Sequence, residues 1–279
     1  MAIELVTKFL PLVDEVFASE SKTALLTNKN FDFDGAHTVK IWKIGTAEMN
    51  DYGRTGAEEG NWSRYGKVLD LDATTETMTL RKDRSFTYVI DRLDEDESGL
   101  EAAKALSRQL RQVVIPEVDL YTISEMAANA GHKPDAAALT ADNIYDEIIK
   151  GSNALDKSEA PEKDRSLVVT PDTYLLLKRC KDIAMETDIG NEMRLKGIIA
   201  MVDGMPVIRV PAARVPAGFG FMIAHPIATV GVEKLAAYKM HHNPPGISGT
   251  LTEGRIVYDA FVLENKAGAI YYHSIPTAQ

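Results

Sequence analysis

Residues 166–180 read SLVVTPDTYLLLKRC, and this stretch decides the class of the fold. A short apolar strand runs into Thr170, whose hydroxyl suits a helix N-cap. Pro171 takes the first helical position, where a missing N–H costs nothing, and Asp172 places a carboxylate in the first turn. The helix then continues through TYLLLKRC. A strand passing directly into a helix is the mark of a chain that mixes both elements.

Downstream the pattern is dominated by strands. PVIRV (206–210) is a strand, PAARVPAG a turn, FGFMIA (219–224) a further strand, and IATVGVEKLAAYKMH a helix or strand. HHNPPGISG reads as a loop. GRIVYDAFVLENKAGAIYYHSI reads as two alternating strands joined by an Asn-Lys-Ala-Gly turn. Upstream, GSNALDKSEAPEKDRS is a polar loop, and Asn143 to Lys150 forms a helix.

Further back, DRLDEDE puts five acids into seven residues, where negative charge favours a helix N-terminus. Ser98 and Glu101 have the spacing of a capping box. Leu100, Ala103, Leu106, Leu110, Val113 and Val114 then form an apolar stripe at helical spacing. Pro116 is expected to kink or restart this helix, which EVDLYTISEMAANAG carries to a stop at Gly131. Roughly thirty helical residues would span ~45 Å, the length of a structural spine.

Before the spine the period changes to two. VKIWKIG, TMTLR and SFTYVID alternate, and together they predict a long β-ribbon over Val39–Ile90. Its tip is DYGRTGAEEGNWSRYG, Asp51 to Gly66. A two-stranded ribbon is marginal alone in water, and its open edges invite another chain. At the N-terminus, Ile3, Val6, Phe9, Leu10, Val13, Val16 and Phe17 are spaced for a helix that Pro11 interrupts, so a short helix or kinked arm that docks on something is expected. The acids Glu4, Asp14 and Glu15 and the lack of a basic lead argue against a signal peptide. No stretch approaches the ~20 apolar residues of a membrane span, so cytoplasmic folding is expected.

The chain of 279 residues, 45% hydrophobic and 26% charged, is long enough for a sizeable core. A formal charge of −10 argues against a surface that grips phosphates, although it suits a wall enclosing nucleic acid. The single cysteine, Cys180, permits neither an intrachain disulfide nor a Cys-based zinc site, and is expected to be a packed thiol. Gly53, Gly56, Gly60 and Gly66 match neither the dinucleotide nor the Walker spacing. His241 and His242 lack a third ligand at recognisable spacing, and neither a zinc-protease nor a hydrolase motif occurs. No catalytic residue, cofactor or metal is expected.

Trp42, Trp62 and Tyr65, with Arg54, Arg64 and Lys67 close by, are the exception to a scattered distribution of aromatic and basic residues. These residue types are enriched at interface hot spots. An interface, a ligand site and a merely flexible loop are all compatible with the residues alone, and the composition favours the interface.

The order of elements as a whole resembles the tailed-bacteriophage major capsid proteins. The specific stretches are SLVVTPDTYLLLKRC, GMPVIRV, VPAGFGFMIAHPIATVGVEK and GRIVYDAFVLENKAGAIYYH, similar to that family's strand-helix, G-x-P-V strand, P-x-G turn and closing strands. The resemblance covers essentially the whole chain. It implies an α+β fold with an N-terminal arm (1–38), an extended β-ribbon loop (39–92), a peripheral domain with a long spine helix (93–132 and 251–279) and an axial domain (133–250). Its final strands from Gly254 would return to the peripheral domain.

The resemblance further implies a structural protein, not an enzyme. It would assemble with itself as pentamers and hexamers into an icosahedral shell, enclosing double-stranded DNA without sequence-specific binding. The loop residues Trp42, Arg54, Trp62, Arg64, Tyr65 and Lys67 would contact a neighbouring subunit. Scaffolding and portal proteins are the further partners such shells use; here a separate scaffolding protein, or none, is expected. The virion capsid would be its location, after synthesis in the bacterial host cytoplasm, with no membrane involved. An encapsulin-type compartment shell shares this fold. A cytosolic α/β enzyme, with HHNPPGISG and the tip loop forming a pocket, is the reading from another class.

Overall fold

A computed structural model describes residues 21–28, 38–44, 49–54, 56, 63–66, 73–92, 102–180 and 201–276. The chain divides into two compact units, one of residues 33–80 and one of residues 1–32 with 81–279.

The smaller unit is the ribbon. Strand β1 (Thr38–Ile44) pairs antiparallel with β2 (Ala73–Thr79) in an unbroken register from Thr38 opposite Thr79 to Ile44 opposite Ala73. The ribbon is shorter than its alternation suggests. The third alternating stretch, β3 (Lys82–Asp91), pairs instead with β9 (Gly249–Val262), from Lys82 opposite Tyr258 to Asp91 opposite Gly249. Phe86 lies opposite Gly254, where an added Cβ would come within 2.2 Å of its ring. The glycine thus makes room for an aromatic ring over the neighbouring strand.

In the larger unit, β9 is the middle strand of a three-stranded sheet, β3-β9-β8, with β8 spanning Thr229–His242. The stretch that reads as helix or strand is therefore strand, in keeping with its Thr, Val and Tyr content. A second, five-stranded sheet has the order β10-β7-β4-β6-β5. Its members are β4 (Ser166–Val169), β5 (Met201–Val202), β6 (Met205–Arg209), β7 (Phe219–Ala224) and β10 (Ile270–Ser274). Only β4 and β6 run parallel. The two closing strands do not form a hairpin. The residues between them make a 3₁₀ turn, Glu264–Ala269, that carries the chain from one sheet to the other. Consequently β10 joins the five-stranded sheet.

The spine connects both sheets. Helix α1 (Ala102–Gln109) passes through a π turn (Leu110–Val114) into α2 (Ile115–Ala128). The helix restarts at Pro116, as its sequence suggests: α2 begins at Ile115 with the proline in its first turn. The N–H of Ile115 donates to the carbonyl of Leu110, one residue wider than the α pattern, and this widened turn accommodates the proline ring and its missing donor. The N-terminal part of the spine packs Leu106, Leu110, Val114 and Val118 on Tyr238, Ile256 and Tyr258 of the three-stranded sheet. Its C-terminal part packs Ile123 and Met126 on Val168, Met222 and Ile270 of the five-stranded sheet.

The opposite face of the five-stranded sheet is covered by α3 (Ile144–Lys157) and α4 (Pro171–Arg179). Ile144, Ile148, Leu155 and Leu177 meet Leu167, Val169, Phe221 and Ile223 there. Both faces being covered, all of Ser166–Val169 is buried, which explains its unbroken apolar run. Thr170 caps α4 as expected, its side chain accepting from the N–H of Thr173 at 3.2 Å. Cys180 is buried at the end of that helix. Helix α3 runs past Gly151, where the sequence suggests a polar loop. A Cβ there would lie 2.8 Å from Ile223, so the glycine serves close helix–sheet packing within the helix. The capping box at Ser98 and Glu101 and most of the N-terminal arm lie outside the described residues.

Candidate assembly interface

The ribbon's far end is built by its own backbone. The N–H of Gly53 donates to the carbonyl of Arg64 at 3.0 Å, joining the outgoing and returning arms. Two short turns follow, with Gly56 donating to Gly53 and Gly66 to Ser63, each at 3.3 Å. The hydroxyl of Ser63 also accepts from the N–H of Tyr65 at 3.2 Å. Gly66 has φ +88°, and a Cβ would meet Asn50 at 2.5 Å, so both conformation and space require glycine.

This frame presents an apolar surface. The rings of Tyr52 and Tyr65 meet edge to face, with centroids 5.1 Å apart and an interplanar angle of 66°. Both remain largely exposed, at 52% and 77%, and Met49, shortly before Tyr52 in the chain, is 99% exposed. Arg54 and Arg64 flank the pair and are exposed as well. The arrangement holds two aromatic rings, a flexible thioether and two guanidinium groups at the surface, a composition suited to burial against another protein.

Of the residues expected to make this contact, the structure brings Arg54, Arg64 and Tyr65 to one loop end. Trp42 lies in β1 opposite Thr75, with its side chain outside the described residues, as are Trp62 and Lys67 altogether. Sequence reasoning passed over Met49 and Tyr52. Tyr52 belonged to the same unusual loop and could have been paired with Tyr65. Nothing local distinguishes Met49.

Two buried carboxylates hold Arg81 and the segment 21–23 within the larger unit. Asp259 has a fully buried side chain and accepts from the backbone N–H of Arg81 at 2.7 Å, from its guanidinium at 3.2 Å and from the hydroxyl of Tyr121 at 2.9 Å. Arg81, the first residue after the ribbon unit, also reaches Glu125 at 3.2 Å. The Asp259 hydrogen bond holds its guanidinium above the usual value, while burial and then Asp259 push up the Tyr121 phenol. Asp119, equally buried, accepts from the hydroxyls of Ser21 (2.9 Å) and Thr23 (3.1 Å), the N–H of Lys22 (3.2 Å) and the guanidinium of Arg214 (3.0 Å). It ties residues 21–23 to the spine.

Among the described residues no group of three or more His, Cys, Asp or Glu side chains is placed to hold a metal ion. No described helix is long and apolar enough to cross a membrane.

The fold recurs in assembled particles. The chain is similar to a chain of Mycobacterium phage Che8, with 16% identity over 91% of each chain and a TM-score of 0.73. It is similar to the capsid structure of cyanophage P-SCSP1u, with 13% identity over 91% of this chain and 87% of that one and a TM-score of 0.69. The virus-like particle from Pyrococcus furiosus matches 97% of this chain and 100% of its own at 12% identity, with a TM-score of 0.58. No protein-family model and no curated protein matches the sequence. The α+β fold is thus that of phage capsid chains, as the order of elements implied.

Proposed function

We propose that this chain is a phage major capsid subunit, a structural protein without enzymatic activity, which assembles into an icosahedral shell around double-stranded DNA. The observation that carries the reading is the shared fold: 91% of the chain superposes on a phage capsid structure. The five-stranded sheet with α3 and α4 acts as the axial part, meeting its copies at five- and six-fold centres. The spine and three-stranded sheet form the peripheral part.

The ribbon tip supplies a contact to a neighbouring subunit, through Tyr52, Tyr65, Met49, Arg54 and Arg64, joined by Trp42, Trp62 and Lys67. Repetition around closed rings lets one such heterologous contact serve every subunit. Scaffolding and portal proteins are the additional partners, and the virion, following synthesis in the host cytoplasm, is the location. Electron microscopy of the purified full chain tests the assembly. Capsomers, tubes or shells are expected; a stable monomer or dimer at high concentration overturns the proposal.

A compartment shell is the second reading, favoured by the match across all of the Pyrococcus particle chain. Particles recovered from the native host distinguish the two by their contents. Nuclease-protected double-stranded DNA supports the capsid, and enclosed protein supports the compartment.

A further inference from the structure

A groove of about 610 Å³ is lined by Lys22, Leu25, Tyr174, Val207, Arg209 and Pro211, among others. Leu25 stands 61% exposed at its side. Arg209 lies over the ring of Tyr174 at 4.8 Å, and Lys178 over the same ring at 5.1 Å. No Asp or Glu lines the groove, although the chain as a whole carries a formal charge of −10. The groove is therefore an apolar and cationic exception on an acidic molecule.

The loop between α3 and β4 has the opposite character. Arg165, with a side chain only 4% exposed, gathers it from inside. Its guanidinium donates to the carbonyls of Pro161 at 2.8 Å and Ala160 at 2.7 Å, and pairs with Asp156 at 2.7 Å. Glu159, Pro161, Glu162, Lys163 and Asp164 are all exposed, so the loop shows three carboxylates against one ammonium. These two surfaces do not meet within one chain. The loop enters β4 at Ser166, whereas the groove gathers past Val169, whose carbonyl accepts from the N–H of Val210 at 2.9 Å. The strand between them is ~13 Å long, and the bonds of Arg165 hold the loop at its far end.

We propose that the groove receives the Glu159–Asp164 loop of a second copy of this chain. Pro161 seats against Leu25 and Val207, and the carboxylates of Glu159 and Glu162 meet Arg209 and Lys22. The loop is already held by Arg165, so docking orders little that is not ordered beforehand. Because the two surfaces lie at opposite ends of one strand, the contact is head to tail, and its repetition closes into a ring. The inference rests on the shell reading, to which it adds the contact that joins the axial parts around a five- or six-fold centre.

Sedimentation velocity of the purified full chain across a concentration series tests it. Arg209→Glu, and separately Glu159→Lys with Glu162→Lys, are each expected to weaken subunit association at least about tenfold. All three changes in one chain should restore association, which a variant that merely misfolds cannot do. A thiol trap reads the geometry. Cys180 is buried, so Leu25→Cys with Pro161→Cys should give a ladder of linked chains on a denaturing gel after a short bis-maleimide, and neither single variant should. Association indifferent to both reversals, a triple variant that does not recover, or a missing ladder overturns this contact while the native chain still assembles and the shell reading stands. A native chain that does not associate at all overturns both.

Discussion

Asp119 and Asp259 show what a single side chain decides in this molecule. Each carboxylate is removed from water and made tolerable by several donors at once, a condition under which deleting one member leaves the others stranded. Asp119→Ala and Asp259→Ala are each expected to lower unfolding free energy by about 3–5 kcal/mol, read from the urea midpoint. Asp83, which pairs with Arg255 across β3 and β9, gives the contrast. With side chains 46% and 55% exposed, that pair is screened, and Asp83→Ala should leave the urea midpoint almost unchanged. Buried histidines supply a pH dependence. Burial lowers the pKa of His273 from 6.5; Glu147, 3.8 Å away on α3, opposes this, and Lys150 on the same helix adds to it. Burial lowers that of His225 in the same way. The unfolded chain therefore takes up protons before the folded one does, so stability is full above about pH 6.5 and declines as the pH falls through that value. A urea midpoint that falls from pH 7 to pH 5, with a shallower fall in His273→Phe, is expected. The ring of His273 already stacks on Phe221 at 5.0 Å, so an aromatic replacement keeps that packing.

At the scale of elements, local chemistry was legible and distant pairing was not. Thr170, Pro171 and Asp172 announced α4 because a cap and a first turn are settled by adjacent residues. Phe86, Tyr88 and Ile90 announced a strand by their alternation. Its partner lies from Gly249 to Tyr258, and no property of residues 82–91 points there. The same limit explains the closing strands, where an Asn-Lys-Ala-Gly stretch resembles a hairpin turn yet leads into a different sheet. Gly151 misled for another reason. It carries a default meaning as a stop, overridden here by close packing on the sheet, whereas Pro116 marks a restarted helix after the π turn, as its ring and missing donor suggest. The ribbon tip stood out by composition, and the structure adds the backbone bridge that holds Tyr52 against Tyr65. Replacing both tyrosines by alanine should leave the thermal midpoint unchanged, since their exposed rings contribute little to the fold. Each loss should weaken the proposed subunit contact by about 2 kcal/mol. Deleting Asp51–Gly66 is expected to abolish stable shells while leaving a folded protein. Assembly unchanged by that deletion, judged by light scattering and microscopy, would remove the role assigned to the tip.

At the scale of the whole molecule, element order identified the fold where no single motif could. Under the proposed shell role that is expected, because surface complementarity imposes no fixed residue spacing of the kind catalysis imposes. The charge of the chain agrees with that proposal. A formal charge of −10 repels a polyanion at every distance that screening permits, and the wall of the proposed container would benefit from contents that do not adhere to it. Binding to phosphates would require clustered Lys and Arg to release counterions from the duplex. At about 0.15 M salt the unassembled subunit should therefore not retain a duplex DNA of any sequence in a filter or gel-shift assay. Lowering the salt should not produce binding either, because weaker screening strengthens the repulsion of like charges. Tight, salt-sensitive retention by the free subunit would instead reveal a basic face that the net charge conceals, and would overturn the description of the wall as non-adhesive.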